Sequence, residues 1–258
     1  MKGMSPLSVK LVDALKADIF RWNRQINLVS RQETKDRLQG LFNQCVGGVG
    51  PVCDVLEVLN DLDEANIGLD PSLLYFDLGS GGGLPGVIWH ILFSEKSQAN
   101  GPLAGGSVRT WLVEPREKRA WFLSRLNRIP QMPTLGVLHG RWGEVSSSDV
   151  DLKISPDHYP VVVISLKALH LDDEEVLSGF FALAETISGS FCVVIARYYP
   201  PSQSYDADLV GLLKITEKGQ SLQLGGWSCL GLGGSVSFLA GPGHGLASLV
   251  ISPYQVHK

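Results

Sequence analysis

Asp77-Leu78-Gly79-Ser80-Gly81-Gly82-Gly83-Leu84-Pro85-Gly86 is the stretch on which the reading of the fold turns. The apolar run Leu73-Leu74-Tyr75-Phe76 precedes it, and Val87-Ile88-Trp89-His90-Ile91-Leu92-Phe93 follows. That order reads as buried strand, glycine turn, helix. Glycine lets the backbone take positive φ and approach a ligand with no Cβ in the way. The start of the following helix offers free N–H groups to something polar. Gly81-x-Gly83-x-x-Gly86 fits the dinucleotide fingerprint, which alone discriminates poorly. Asp77, at the strand end ahead of the first glycine, adds what the glycines lack. Its carboxylate attracts a cationic amino group and repels a pyrophosphate.

S-adenosyl-L-methionine carries such an ammonium group, so methyl-donor binding is the expectation. Nicotinamide or flavin binding, or a glycine turn without a ligand, ranks behind it. With 258 residues and 44% hydrophobic content, the chain can bury a sizeable core. A chain of this size hides roughly three quarters of its unfolded surface. One main domain with an appendage is the natural division. The formal charge of −4 gives no strong global field toward nucleic acid, so RNA binding would need a local basic face. Cys45, Cys53, Cys192 and Cys229 form no C-x-x-C pair, suit a reducing compartment and predict no metal site. No apolar run reaches the roughly 18 residues of a membrane span, and Lys10, Asp13, Lys16 and Asp18 do not suit a signal peptide. The expected location is cytoplasmic.

Ser5-Pro6 reads as an N-cap with proline at the first helical position. Leu7, Leu11, Leu15, Ile19, Trp22 and Ile26 then form one apolar stripe, read as a face docking on the main domain. A second helix is predicted over about Gln32–Cys45, and a short one over Asp54–Leu62. Asp63–Pro71 is read as the connection into the first strand. Strands and helices then alternate, predicting a mostly parallel sheet covered by helices. The strands are Leu73–Phe76, Val108–Val113, Leu135–Leu138, Val161–Ile164 and Phe191–Ile195, with helices over Arg116–Asn127 and Asp172–Ile187. Ser235–Ala240 and Ala247–Ser252 read as an antiparallel hairpin closing the sheet edge. Ser94–Gly106 and Ser146–Pro156 read as surface insertions.

Ligands of open parallel sheets sit beyond the carboxyl ends of the strands, where strand order reverses. The Asp77–Gly86 loop, Glu114, Arg141–Glu144 and Ser165–Ala168 fall there. Glu114 ends the second strand, where a carboxylate can accept both hydroxyls of a ribose, or else simply cap a helix. Its distance from the glycines exceeds the roughly 20 residues of the dinucleotide rule, an excess the Ser94–Gly106 insertion accounts for.

Several motifs in order resemble the bacterial small-subunit ribosomal RNA guanine-N7 methyltransferases, the glucose-inhibited division protein B family. Trp22-Asn23-x-x-Ile26-Asn27-Leu28 is similar to the family's W-N-x-x-I-N-L helix segment. Asp77–Gly86 is similar to its D-x-G-[ST]-G-x-G-[LF]-P-G loop, and Lys118-Arg119-x-x-Phe122-Leu123 to its K-R-x-x-F-L run. His139-Gly140-Arg141 resembles its H-G-R segment. The resemblance implies a Rossmann-like class I methyltransferase fold, with residues 71–258 as the donor-binding domain. Residues 1–70 would form a helical region packed on it. It further implies S-adenosyl-L-methionine as cofactor, held by Asp77, Gly79, Ser80, Gly81, Gly83, Leu84, Glu114, Trp142, Gly143 and Lys167.

There are departures. The family's R-x-E stands here as Arg141-Trp142-Gly143-Glu144, and its strand-four D-V-V-T-S-R-A as Val162-Val163-Ile164-Ser165-Leu166-Lys167-Ala168. Lys167 keeps the charge of arginine without its planar fork. The H-x-x-D-S-L signature is not visible in Arg37–Val46, and the K-G after strand five is replaced by Arg197-Tyr198. The donor site therefore reads as retained and the acceptor side as altered.

Guanine N7 is methylated on a lone pair and loses no proton, so no general base is expected and no catalytic residue is assigned. An oxygen or thiol acceptor would need one, for which His139 and His170 are the nearby candidates. Arg116, Lys118, Arg119, Arg197 and Tyr198 are the candidate RNA contacts. Arg125, Arg128, Arg21, Arg24, Arg31, Lys35 and Arg37 extend the basic face. Tyr198-Tyr199-Pro200-Pro201 is read as a loop whose tyrosines can stack on a flipped base. The favoured partner is ribosomal RNA or the small ribosomal subunit. The alternatives are a paralogue methylating another RNA, a protein or a small molecule, and a noncatalytic donor-binding protein acting through interactions.

Overall fold

The structure, a computed structural model, describes residues 4–30, 35–50, 52–53, 56–57, 69–101, 103–126, 128–145, 150, 159–167, 169, 171, 173–184, 192–199, 227–229, 238–239 and 245–253. In chain order these form α1 (Pro6–Ile26), α2 (Lys35–Gly47), β1 (Leu69–Leu78), α3 (Gly86–Ser97), β2 (Val108–Glu114) and α4 (Glu117–Leu126). There follow β3 (Leu135–His139), β4 (Tyr159–Lys167), α5 (Asp173–Ala184), β5 (Cys192–Tyr199), β6 (Trp227–Cys229), β7 (Phe238–Leu239) and β8 (Gly245–Pro253). One sheet runs β3-β2-β1-β4-β5-β8-β6, with β7 also paired to β8. The first five strands are mutually parallel, and β8 runs antiparallel to β5, β6 and β7. This is the Rossmann-like sheet with helices on both faces that the alternating pattern predicts.

The period of two along β1 divides the core. Leu73 and Tyr75 face one buried cluster with α1, α2, α3 and α4, whereas Leu74, Phe76 and Leu78 face a second with α5. Being buried on both faces explains why this strand reads as an unbroken apolar run. Tyr75 packs against both Trp89 and Phe93 of α3, with ring centroids 5.6 Å from each. On the opposite face Phe76 stacks on Trp111 at 5.0 Å. Such offset and edge-to-face pairs add about 0.5–1.5 kcal/mol each beyond their burial.

The first helix starts as expected, with the Ser8 N–H donating to the Ser5 hydroxyl at 3.1 Å. The predicted stripe faces the core from Leu11 onward, with Leu15 and Ile19 buried and Leu11, Trp22 and Ile26 packed part-buried against the same cluster. Ser8, Val12, Leu15 and Ile19 are buried, while Leu7 is exposed. Ser8 tolerates burial because its hydroxyl accepts a hydrogen bond from Ser5 Oγ at 3.0 Å. Glu95 of α3 accepts from the Ser5 N–H, and the Trp89 indole donates to the Cys45 carbonyl of α2, so both early helices are tied to α3.

Two further expectations shift. The first strand begins at Leu69 rather than beyond Pro71, with a register shift between Asp70 and Leu73. Tyr198 and Tyr199 belong to β5 and pair with Leu246 and Gly245, not to a loop. The predicted helix over Asp54–Leu62 lies mostly outside the described residues. Ser146–Pro156, all but Val150, and His170 lie outside them too. Among the described residues no helix is long and apolar enough to cross a membrane.

Candidate functional site

Strand order reverses between β1 and β4, and the glycine loop leaves β1 at that point. Gly79 and Ser80 both donate their N–H groups to the Val113 carbonyl at the end of β2, at 2.9 and 3.1 Å. Gly83 then turns back onto the Ser80 carbonyl at 2.7 Å, and the Leu84–Pro85 peptide is cis. Positive φ at Gly79, Gly81 and Gly83 explains why the turn is glycine-rich. Gly86 serves a different purpose. A Cβ there would overlap Leu112 and sit 2.5 Å from Asp77 Oδ2, so only glycine lets α3 start this close to the sheet.

The period of two puts Asp77 on the α3 face of β1 with Tyr75 and Leu73, and it is buried. Its Oδ2 accepts from the Gly86 N–H at 3.2 Å, and its Oδ1 from the Ser165 hydroxyl at 2.6 Å. Ser165 Oγ also lies 2.7 Å from Tyr75 Oη. Burial pushes the Asp77 carboxyl up from 3.8 to about 6, although Ser165, Ser80, Gly86 and the Lys167 charge pull the other way.

Glu114 is the second buried carboxylate at the loop. Its Oε2 accepts from the Gly81 N–H at 2.8 Å and its Oε1 from the Arg116 N–H at 2.9 Å. The loop is thus bracketed by Asp77 at one end and Glu114 at its middle. The sequence places Ser165 only within a segment at the strand ends and gives Tyr75 no site role. The signal for Ser165 is its register opposite Asp77, which only strand pairing reveals.

The other expected donor contacts, Trp142, Gly143 and Lys167, lie at or after the carboxyl ends of β3 and β4. Trp142 and Gly143 follow β3, where Gly143 is exposed at φ +86. The Trp142 indole turns away into the second cluster, donating to the Val176 carbonyl at 2.8 Å and packing against Phe76. Lys167 ends β4 half-buried, its Nζ 4.0 Å from Cys45 Sγ. Burial raises the Cys45 thiol to about 11, only partly offset by Lys167, so it stays protonated at neutral pH. His139 is exposed at the end of β3.

Of the basic candidates, Arg116 and Lys118 are exposed. Arg119 is half-buried and donates from Nε and Nη2 to the Asn27 carbonyl at 3.1 and 2.7 Å. Asn27 is the left-handed C-cap of α1. Leu28, the next residue, lines the loop: its carbonyl oxygen would be 3.4 Å from a Cβ on Gly81. The Trp22–Leu28 segment therefore abuts the glycine turn, a contact its position in the chain does not announce. Arg197 and Tyr198 lie in β5, in register with Leu166 and Lys167 of β4.

Sheet order, glycine turn at the reversal and carboxylates at the ends of β1 and β2 together define a Rossmann-like class I methyltransferase fold. Residues 9–156 match the model of a family described as rRNA small subunit methyltransferase G, and the chain belongs to that family. It is 30% identical over 146 residues to ribosomal RNA small subunit methyltransferase G of Bordetella petrii, covering 55% of this chain and 47% of the relative. The protein of the same name from Bordetella avium is 31% identical over 140 residues, covering 54% and 52%. The chain spans about half the length of these curated relatives. Solved structures are more distant. Magnesium protoporphyrin IX methyltransferase of Synechocystis PCC 6803 is 13% identical with a TM-score of 0.41, covering 98% of this chain and 100% of that one.

Proposed function

We propose that the chain is an S-adenosyl-L-methionine-dependent methyltransferase acting on guanine N7 of small-subunit ribosomal RNA in the cytoplasm. One observation carries the reading. The glycine turn at the strand-order reversal is flanked by two buried carboxylates, Asp77 and Glu114. The donor set fits a cationic ligand with a ribose. Asp77 is hydrogen-bonded by neutral groups and raised in pKa by burial, so a nearby ammonium is rewarded. Glu114, at the end of β2, stands where ribose hydroxyls are accepted in this fold. The pattern of relatives named as ribosomal RNA methyltransferases supports RNA as the acceptor class.

When bound, the donor supplies an electrophilic sulfonium methyl. The chain's part is positioning and exclusion of water. In this reading Gly79–Leu84 approach the donor through backbone, Asp77 supplies negative field to its amino end and Glu114 fixes its ribose. Trp142 and Gly143 contribute backbone beside the base, because the indole is already committed to Val176. Lys167 contributes a cation beside Cys45 at the mouth of the site. No residue needs to hold a proton from guanine N7.

The test is methyl transfer from labelled donor to small ribosomal subunits and to naked ribosomal RNA from cells lacking this chain, followed by nucleoside digestion. The proposal expects label in 7-methylguanosine, lost in Asp77→Ala. Label in a protein or small molecule instead would move the acceptor, and donor binding with no transfer to any acceptor would make the chain a noncatalytic binder.

A further inference from the structure

Trp121 of α4 is half exposed, at 50%, a large apolar surface left open beside the candidate site. It packs edge-on against Trp22 of α1, with ring centroids 5.3 Å apart and planes at 72°. Arg125, one turn further along α4, sits over both rings, its guanidinium carbon 4.7 Å from the Trp22 centroid and 5.4 Å from that of Trp121. Arg21 approaches Trp22 at 5.9 Å. The two helices are locked together just beside this cluster, since Arg119 of α4 clamps Asn27 at the end of α1, next to Gly81.

The charge around these rings is one-sided. Residues 19–28 and 115–128 carry Arg21, Arg24, Arg116, Lys118, Arg119, Arg125 and Arg128 against the single acid Glu117, in a chain of net charge −4. Arg24, Arg116, Lys118 and Arg128 are exposed. An apolar protein partner would gain little from a lone indole ringed by cations. A nucleobase gains from both, because every base offers a π face to stack on and carries a phosphate on each side. Arginine over the rings stiffens them and adds its own attraction to the base and phosphate.

We infer that Trp121, backed by Trp22 and Arg125, is a stacking site for an unpaired base of RNA, lying outside the donor site. It rests on the proposal that RNA is the acceptor. A base held there anchors the strand next to the glycine turn, so the site selects single-stranded or looped RNA over continuous duplex and acts through affinity, not through the methyl-transfer step.

The experiment is fluorescence anisotropy with the full chain and an end-labelled, purine-containing single-stranded RNA of about ten nucleotides, with the matching duplex as control. Trp121→Leu weakens single-strand binding by about 5- to 100-fold, and Trp121→Phe keeps it within about threefold. Arg125→Gln weakens binding and flattens its salt dependence. Duplex affinity is unchanged in Trp121→Leu, as is donor binding by calorimetry, which verifies the fold. If wild type binds the single strand and Trp121→Leu binds it equally well, the stacking site is overturned and the methyltransferase reading stands. If wild type binds donor but no RNA of either form, the stacking site and the RNA acceptor both fall.

Discussion

Ser165 Oγ donates to Asp77 Oδ1 at 2.6 Å, across the point where β1 and β4 run side by side at the strand-order reversal. This hydrogen bond holds the carboxylate that sits beneath the start of α3. Hydrogen bonds to a charged acceptor contribute about 1.5–3 kcal/mol, more than those to a neutral one. Ser165→Ala is therefore expected to lower stability by about that amount near pH 7.5. The loss shrinks near pH 5, where Asp77 is largely protonated, since its pKa is about 6. Urea unfolding at the two pH values checks both parts.

Gly86 separates close approach from mere flexibility. The extra methyl of Gly86→Ala would collide with Leu112 and Asp77, and is expected to cost about 1–3 kcal/mol and to weaken donor binding. Gly40, inside α2, has open space for 4 Å around the point where a Cβ would stand. Gly40→Ala is expected to stabilise by about 0.5–1 kcal/mol through helix propensity alone. Thermal unfolding of the two variants should move in opposite directions.

His90 is buried in α3, its Nδ1 2.9 Å from Thr110 Oγ1, and burial lowers its pKa from 6.5 to about 4. Between those values the unfolded chain binds a proton that the folded chain refuses, so this group's contribution is complete above 6.5 and falls as pH drops toward 4. Asp77, raised from 3.8 to about 6, has the opposite sign and stabilises on acidification. Wild type is thus expected to lose stability relative to His90→Gln, on the order of 1 kcal/mol per pH unit through the window. Parallel slopes for the two proteins would refute the shift.

Arg119 joins α4 to the last turn of α1 through two donors to one carbonyl. Lysine cannot reproduce that fork. Arg119→Lys is expected to cost about 1–2 kcal/mol and to raise hydrogen exchange near the end of α1 without altering exchange in β1.

The parts of this fold legible in the sequence are those with a short-range signature. The strand–glycine–helix unit announces itself because β1 is apolar on both faces and the turn cannot accept side chains. What the sequence hides depends on distant partners. The apolar stripe of α1 finds the core except at its first turn, where Leu7 is exposed and Ser8, hydrogen-bonded by Ser5, is buried instead. Ser165 meets Asp77 across 88 residues, by a register no local pattern encodes. Tyr198 and Tyr199 read as a loop before two prolines, yet β8 returns from far later in the chain to pair with them. In the candidate site, Asp77 and Glu114 are identifiable by position at strand ends. The inward turn of Trp142 is not, since it depends on the Val176 carbonyl in α5.

Calorimetric titration with S-adenosyl-L-methionine near pH 7.5 and pH 5 tests whether the Asp77 loop binds a cationic methyl donor. Ionised Asp77 favours the cation, so the affinity should rise as pH passes upward through about 6, and Asp77→Asn should bind weakly with that rise abolished. Absence of donor binding at either pH, or a dinucleotide binding in its place, would contradict the account.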